Sequence, residues 1–116
     1  MPHIHLQTTA NLIESTSIEE ILEKLVAEFC AIETVNPIAV KAYHSLSSVW
    51  VMGEGAEPGF ASCTISVLEG RPEEVRVKMA NRMYASLVSA VSQSKEAGEV
   101  NLTLEIREMT AATYRK

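Results

Sequence analysis

Aspartate is absent from this 116-residue sequence and cysteine is scarce, which argues against most metal and disulfide architectures. The two cysteines, Cys30 and Cys63, belong to no CxxC motif, and each lies in an apolar segment. We therefore expect two buried, reduced thiols. His3 and His5 share one face of a predicted strand. Without aspartate or a helical histidine pair, however, they and His44 do not make a recognisable metal site.

The sequence also lacks a long apolar run and an excess of basic residues. No apolar run approaches the roughly 18 residues that span a bilayer. Residues 1–3 do not begin a secretory signal peptide, so we expect a cytoplasmic protein with no membrane partner. Ten Lys and Arg against fifteen Asp and Glu give a net charge of -5, which disfavours a nucleic-acid partner. No G-x-S-x-G motif occurs, so nucleophilic hydrolysis is not expected.

What the sequence does contain is enough apolar material for one core. The mass is 12.7 kDa, and hydrophobic residues make up 47% of the chain and charged residues 22%. These are ordinary values for a globular protein, and they predict a single domain over residues 1–116.

The first half of the chain has the pattern of a strand, a helix and another strand. Residues 3–8 alternate between apolar and polar, which predicts a strand. Ser17 and Glu20 form a capping box, and the apolar stripe that follows predicts a helix over residues 18–32. After Asn36-Pro37, alternation over residues 38–43 predicts a second strand. We expect a turn at residues 45–48 and a short strand at residues 49–52.

The second half repeats this order. Residues 60–68 have an extended pattern, and residues 69–74 form a strand-to-helix junction with Pro72 at the first helical position. The helical period, which includes the predicted core residues Met79 and Met83, continues to about Ser94. Alternation from Val100 to Arg107 predicts the last strand.

These elements predict an α+β fold made of duplicated β-α-β units. Right-handed crossovers would place them in one four-stranded sheet with two helices on one face. We expect apolar residues on both faces of the sheet, and therefore burial of the uncovered face by oligomerisation.

Pro2 is the residue with the clearest potential for chemistry. Removal of Met1 would expose a secondary amine at the start of a strand, where apolar walls and nearby cations favour the neutral form. Such an amine can act as a general base near neutral pH. On its own, a Met-Pro start is also compatible with an unremarkable first strand.

Four motifs, including the Met-Pro start, give the sequence a resemblance to a known family. They are Met1-Pro2-His3, residues 38–41, Trp50-Val51-Met52-Gly53-Glu54-Gly55 and Gly70-Arg71-Pro72-Glu73-Glu74. With these, the sequence resembles the tautomerase superfamily, specifically the 5-carboxymethyl-2-hydroxymuconate isomerase family, over nearly the whole chain. The resemblance implies a duplicated β-α-β fold, a homotrimer, no cofactor and an amino-terminal proline as catalytic base.

Three further positions carry site predictions. Arg71 matches the family arginine that precedes the second helix, and the resemblance implies that it contacts a substrate carboxylate. Lys41 stands where the family has a second arginine; lysine keeps the charge but loses the planar two-pronged grip on a carboxylate. Trp50 is a possible pocket wall. Each position also has a purely structural interpretation. Arg71 is then an ordinary loop arginine, Lys41 an exposed lysine on a strand, and Trp50 a residue that packs in the core or at an interface.

The sequence therefore supports three functional hypotheses. The first is a cofactor-independent keto-enol tautomerase of small unsaturated 2-hydroxy or 2-oxo carboxylic acids, with Pro2 as base and Arg71 and Lys41 as substrate-binding residues, active in aromatic-compound breakdown. A second is a dehalogenase or hydratase of the same superfamily, with a protonated proline as acid. The third is a non-catalytic oligomeric binding protein with the same fold.

Overall fold

A computed structural model describes residues 2–116 of the chain. Four strands form one mixed sheet in the order β2-β1-β3-β4. The strands are β1 (His3–Thr9), β2 (Lys41–Ser47), β3 (Gly59–Leu68) and β4 (Val100–Met109). The helices are α1 (Ile18–Cys30), α2 (Glu73–Ala90) and α3 (Ser92–Glu96). The predicted removal of Met1 concerns a residue outside the described part of the chain.

Strand pairing confirms the duplicated β-α-β fold. β1 runs parallel to β2 and β3 runs parallel to β4, whereas β1 and β3 are antiparallel. Each half of the chain is thus a β-α-β unit, and the two units meet at the central β1–β3 pair. The first strand is consequently an interior strand with a neighbour on each side.

One face of the sheet packs against α1 and α2, as predicted. Ile4 and Leu6 of β1 and Cys63, Ile65 and Val67 of β3 share a buried cluster with the apolar stripes of the two helices. Those stripes are Ile21, Leu25 and Phe29 in α1 and Met79, Met83, Leu87 and Ala90 in α2. Among residues 2–116, no helix is both long and apolar enough to cross a membrane.

A local side-chain cap explains the start of α1 but not that of α2. The Ser17 hydroxyl accepts a hydrogen bond from the Glu20 amide at 3.2 Å, so the predicted capping box is confirmed at its serine. Pro72 is the residue before α2 and not its first helical residue, and no side chain caps that helix.

The predicted single helix to about Ser94 is interrupted at Val91. α2 ends at Ala90, and α3 begins at Ser92. The Glu14 carboxylate accepts hydrogen bonds from the Gln93 and Ser94 amides, at 3.2 and 2.9 Å. A carboxylate at a helix start satisfies unpaired amides, so this contact explains why a new helix begins there.

The second strand lies further along the chain than predicted. Pro37–Ala39 form a 3-10 helix, with the Asn36 side chain as its cap. β2 includes residues 45–47, which the sequence assigned to a turn, and residues 49–52 form no strand. The reason is non-local, because each residue of β2 pairs with one residue of β1 from His3 to Thr9.

The sheet face opposite the helices, called here the open face, is mainly polar. The expectation of apolar residues on both faces is therefore wrong for most of this face. Alternation and strand register place three apolar side chains there, Phe60, Leu68 and Met109, at the ends of β3 and β4. The other side chains there are His3, His5, Gln7, Thr9, Lys41, Tyr43, Ser45, Ser47, Ser62, Thr64, Ser66, Asn101, Thr103, Glu105 and Arg107. Several bond to one another across strands, such as Ser62 and Thr103 at 2.8 Å.

Both thiols are free, but only Cys63 is buried. Burial raises the pKa of the Cys63 thiol to about 12. The prediction of two buried thiols is thus confirmed for Cys63 and wrong for Cys30, which is partly exposed at the last position of α1.

Gly59 offers a test of packing at the start of β3. A Cβ at this position would lie 2.2 Å from the side-chain oxygens of both Thr9 and Asn11. Neither can move freely, because Thr9 Oγ1 accepts from the Phe60 amide at 2.9 Å and Asn11 Nδ2 donates to the Glu99 carbonyl at 2.9 Å. We expect Gly59→Ala to lower the free energy of unfolding by about 2 kcal/mol, measured by urea denaturation.

Gly53→Ala is the matched control, because no atom lies within 4 Å of a Cβ built there. It should change the free energy of unfolding by less than about 0.5 kcal/mol. Equal effects of the two substitutions would contradict this account of Gly59.

Candidate active site

Pro2 lies immediately before the central strand and is buried. Its carbonyl accepts a hydrogen bond from the Lys41 amide at 3.2 Å. The next residue, His3, pairs with Lys41 of β2 on one side and with Ser66 of β3 on the other. Terminal segments usually fray in solvent, whereas β1 has a paired strand on each side from His3 onward.

A cleft of about 310 Å³ opens beside Pro2. This Pro2 cleft brings together Pro2 and Arg71, two of the residues singled out from the sequence. It is lined by Pro2, Thr34, Asn36, Ala39, Leu68, Glu69, Gly70, Arg71 and Lys116. A buried imino acid and a guanidinium therefore share one open, partly polar cavity.

Arg71 is positioned by the loop that follows α1. Its Nη2 donates to the Thr34 carbonyl at 3.1 Å, and its Nε lies 3.4 Å from Thr34 Oγ1. Gly70 has a φ of 126°, a conformation that side chains disfavour, and it turns the chain from β3 toward α2. A guanidinium has five N–H donors, so two bonds to Thr34 leave others for a ligand.

Lys41 does not line the cleft of its own chain. It pairs with His3 in the sheet, so strand alternation places its side chain on the open face, away from the helices. The residue is exposed. A role for Lys41 in substrate binding thus remains a prediction, and the cleft residues of the same chain do not include it.

Trp50 is also remote from Pro2 within one chain. It follows β2, whose last residue pairs with Thr9 at the other end of β1. Thr9 lies six residue steps along the strand from His3, which corresponds to about 20 Å. The indole Nε1 donates to the Pro58 carbonyl at 2.8 Å, so Trp50 closes the loop between β2 and β3. Its predicted role as a pocket wall would require a second copy of the chain.

The structure adds one residue to the cleft that the sequence analysis did not select. Lys116 follows β4 and a 3-10 helix at Ala111–Thr113, and it lines the cleft with Pro2 and Arg71. No local pattern marks it, because its place depends on where β4 ends. β4 ends beside Leu68, the last residue of β3, and this is the end of the sheet that carries Pro2.

The histidines are held in separate hydrogen bonds. His5 Nε2 lies 2.8 Å from Ser45 Oγ, and His44 Nε2 lies 2.8 Å from Thr8 Oγ1. Burial lowers the pKa of His3, and the Lys41 charge lowers it further; burial and then His5 lower the pKa of His44. Within residues 2–116, no three His, Cys or Glu side chains form a group that could hold a metal ion.

A second cavity, of about 270 Å³, lies at the opposite end of β1. It is lined in part by Thr8, Glu14 and His44. Thr8 bonds to His44, and Glu14 caps α3, so its main polar groups already have partners. The Pro2 cleft is therefore the better candidate for chemistry.

The family model for 5-carboxymethyl-2-hydroxymuconate isomerase matches residues 2–116. The chain belongs to the 5-carboxymethyl-2-hydroxymuconate isomerase family. Family membership supports an isomerase with tautomerase-type function. A search of the curated proteins found no match.

Solved structures agree with this family assignment. A 5-carboxymethyl-2-hydroxymuconate isomerase from Deinococcus radiodurans R1 is similar at 27% identity and a TM-score of 0.87, over 99% of this chain and 87% of that one. A 5-carboxymethyl-2-hydroxymuconate delta-isomerase shares the fold at 15% identity and a TM-score of 0.89, over 100% of this chain and 87% of that one. A Q0 fused 4-OT wild-type symmetric trimer shares the fold at 14% identity and a TM-score of 0.72, over 98% of this chain and 90% of that one.

The charge of Lys41, the register partner of His3 in β2, predicts a specific change in the titration of His3. Replacing Lys41 by Gln removes a positive charge that disfavours the imidazolium, so the pKa of His3 should rise toward its ordinary value. NMR titration of the imidazole signals measures it. The pKa of His44 provides the internal control and should not change. Burial and the neighbouring His5 lower this pKa, and neither depends on the Lys41 charge. Equal shifts of both histidines would contradict the assigned cause.

Proposed function

We propose that this family member is a keto-enol tautomerase of small unsaturated 2-hydroxy or 2-oxo carboxylic acids, with the Pro2 amine as general base once Met1 is removed. The observation that carries the proposal is the shared cleft of Pro2 and Arg71. A base and a carboxylate-binding cation in one cavity are the two groups that this reaction requires.

The surroundings of Pro2 favour a neutral amine. Burial penalises a charged ammonium, and the positive charge of Arg71 in the same cleft opposes a further positive charge. Both effects lower the pKa of an amine. The Glu69 carboxylate in the same lining acts in the opposite direction, but it already accepts a hydrogen bond from the Ala111 amide. A base whose pKa lies near the working pH transfers protons most effectively.

The proposed reaction moves one proton. Arg71 holds the carboxylate of a 2-hydroxydienoate, and the Pro2 nitrogen accepts the proton of the 2-hydroxyl group. The resulting dienolate carries its charge along the conjugated chain, and the Pro2 ammonium returns the proton to a distant carbon. The product is a 2-oxo acid with one double bond shifted. No electrons leave the substrate, so the step needs no electron acceptor and we propose no cofactor.

Two finer statements accompany this proposal. The names of the similar isomerases favour 5-carboxymethyl-2-hydroxymuconate as a substrate to test first, in cytoplasmic breakdown of aromatic compounds. We also propose a homotrimer, because a protein with the same fold is a symmetric trimer. In a trimer, another copy could bring its Lys41 or Trp50 near Pro2. Analytical ultracentrifugation measures the assembly state directly.

Insertion of one serine between Met1 and Pro2 tests the base. Removal of Met1 would then leave serine first, and the Pro2 nitrogen would become an amide that cannot accept a proton. We expect kcat for an enol substrate to fall by about 10² to 10⁴-fold, the usual contribution of a general base. Pro2→Ala, which keeps a terminal amine of a different kind, should also lose most of the rate. Intact mass must first establish which terminus each sample carries.

If the processed protein and both variants turn over enols equally slowly, Pro2 is not a base and the non-catalytic binding protein becomes the better hypothesis. The amine pKa separates the remaining alternatives. Titration of Pro2 by NMR should give a pKa lowered from that of an ordinary secondary amine if Pro2 is a base. A pKa that is not lowered would favour the dehalogenase or hydratase hypothesis, in which protonated proline is an acid.

Substitution of Arg71 tests carboxylate binding. Arg71→Ala removes a charge-assisted hydrogen-bond donor, so kcat/KM should fall by about 10- to 100-fold. Arg71→Lys should recover part of this loss, because lysine keeps the charge without the planar fork.

Arg82→Ala is the matched control. This arginine pairs with Glu28 at 2.7 Å on the helical layer, and it does not line the Pro2 cleft. It should keep the kcat/KM of the unmodified protein. A loss confined to Arg71→Ala supports the proposal, whereas equal values for both alanine variants would exclude Arg71 from substrate binding.

A further inference from the structure

The guanidinium of Arg71 is held by Thr34 along one of its edges. Nε donates to Thr34 Oγ1 at 3.4 Å, and Nη2 donates to the Thr34 carbonyl at 3.1 Å. A planar guanidinium can bind a carboxylate with two parallel hydrogen bonds along an edge. Thr34 takes the edge formed by Nε and Nη2 in this way. The edge formed by Nη1 and Nη2 is not engaged by these two bonds.

The loop that carries Thr34 is itself fixed. Thr34 directly precedes Val35, whose amide donates to the Ile32 carbonyl at 3.0 Å. The Val35 side chain is buried in the cluster between the sheet and the helices. Because the turn is closed by a hydrogen bond and anchored in the core, the hydroxyl and carbonyl of Thr34 have a defined place.

The backbone of Arg71 is held from the other side. Arg76 Nε, in the first turns of α2, donates to the Arg71 carbonyl at 3.3 Å. The same nitrogen lies 3.6 Å from the Glu108 carboxylate of β4. Arg71 is thus fixed at its backbone by Arg76 and at its guanidinium by Thr34. A long side chain that is already ordered loses less conformational entropy when a ligand binds.

We infer that Thr34 is a positioning residue for Arg71. It occupies the edge formed by Nε and Nη2, so the edge formed by Nη1 and Nη2 is the one presented to a ligand carboxylate in the Pro2 cleft, which both residues line. A fixed edge sets where the rest of the ligand lies relative to Pro2. The inference rests on the proposed function, in which Arg71 binds the carboxylate.

Exchange of the Arg71 Nε proton with water tests the orientation without any ligand. NMR of ¹⁵N-labelled protein at about pH 6 measures it, and loss of the signal in Arg71→Lys assigns it. Thr34→Val removes the hydroxyl acceptor but keeps the branched shape at an exposed position. We expect exchange to become about 3- to 10-fold faster, as for loss of one hydrogen bond. Thr34→Ser keeps the hydroxyl and should keep the slow exchange.

Binding of sorbate, followed by NMR titration, tests the consequence for a ligand. Sorbate is an unsaturated monocarboxylate without a 2-hydroxyl group, so the proposed reaction cannot consume it. Thr34→Val should weaken sorbate affinity by about 3- to 10-fold, and Arg71→Ala should weaken it by a larger factor. Thr34→Ser should restore most of the affinity. In an Arg71→Ala background, Thr34→Val should have no further effect, because Thr34 acts through Arg71.

Thr16→Val is the matched control. Thr16 lies in the loop before α1 and lines the cavity at the opposite end of β1. This variant should keep both the Arg71 Nε exchange rate and the sorbate affinity. The inference would be overturned by unchanged exchange or affinity in Thr34→Val, by an equal loss in Thr16→Val, by an additive loss in the Arg71→Ala background, or by the absence of sorbate binding to the unmodified protein.

Binding and turnover give independent answers. Sorbate affinity that depends on Thr34 through Arg71, without enol turnover that depends on Pro2, would support the positioning role and refute the proposed tautomerase. Turnover that depends on Pro2 and Arg71, together with unchanged Nε exchange and sorbate affinity in Thr34→Val, would support the tautomerase and refute the positioning role.

Discussion

The rest of the structure depends on one constraint, which is that β1 pairs with a strand along each of its two edges. β1 is parallel to β2 and antiparallel to β3, so it joins the two β-α-β units and carries the residues next to Pro2 into the middle of the sheet. Backbone hydrogen bonds on both sides hold this segment far more firmly than an ordinary chain end. The same strand contributes Ile4 and Leu6 to the core. The position of the proposed base and the stability of the core therefore come from one element.

The candidate site is assembled at one end of that strand from four parts of the chain. Pro2 leads into β1, the loop after α1 supplies Thr34, the turn between β3 and α2 supplies Arg71, and the segment after β4 supplies Lys116. Hydrogen bonds between these four parts hold the side chains of the cleft near one another. The bonds from Arg71 to Thr34 and the contact of Tyr114 with His3 connect them in pairs. Such an arrangement places the Arg71 guanidinium in the same cleft as the buried Pro2.

Sequence patterns predicted the elements whose determinants are local. The Ser17 cap and the apolar stripe of Ile21, Leu25 and Phe29 lie within one helix, and α1 was placed almost correctly. Patterns were less successful where a distant partner decides the outcome. β2 extends to Ser47 because each of its residues pairs with a residue of β1. α2 ends at Ala90, and a new helix begins at Ser92, where the Glu14 carboxylate accepts hydrogen bonds from the Gln93 and Ser94 amides. Pro2 and Arg71, both selected from the sequence, line one cleft, whereas Lys41 and Trp50 lie elsewhere in the same chain; the roles of all four residues stay predictions.

The sequence by itself determined the four main strands, the two long helices and their apolar stripes, because periodicity and capping are properties of neighbouring residues. Its motifs indicated the family by resemblance. Only the tertiary structure decided which side chains meet. It placed Lys116 in the cleft, made the open face polar and separated Trp50 from Pro2 by the length of β1. These outcomes depend on strand register and on where each strand ends. Both are set by contacts between residues that are far apart along the chain, and no local pattern records them.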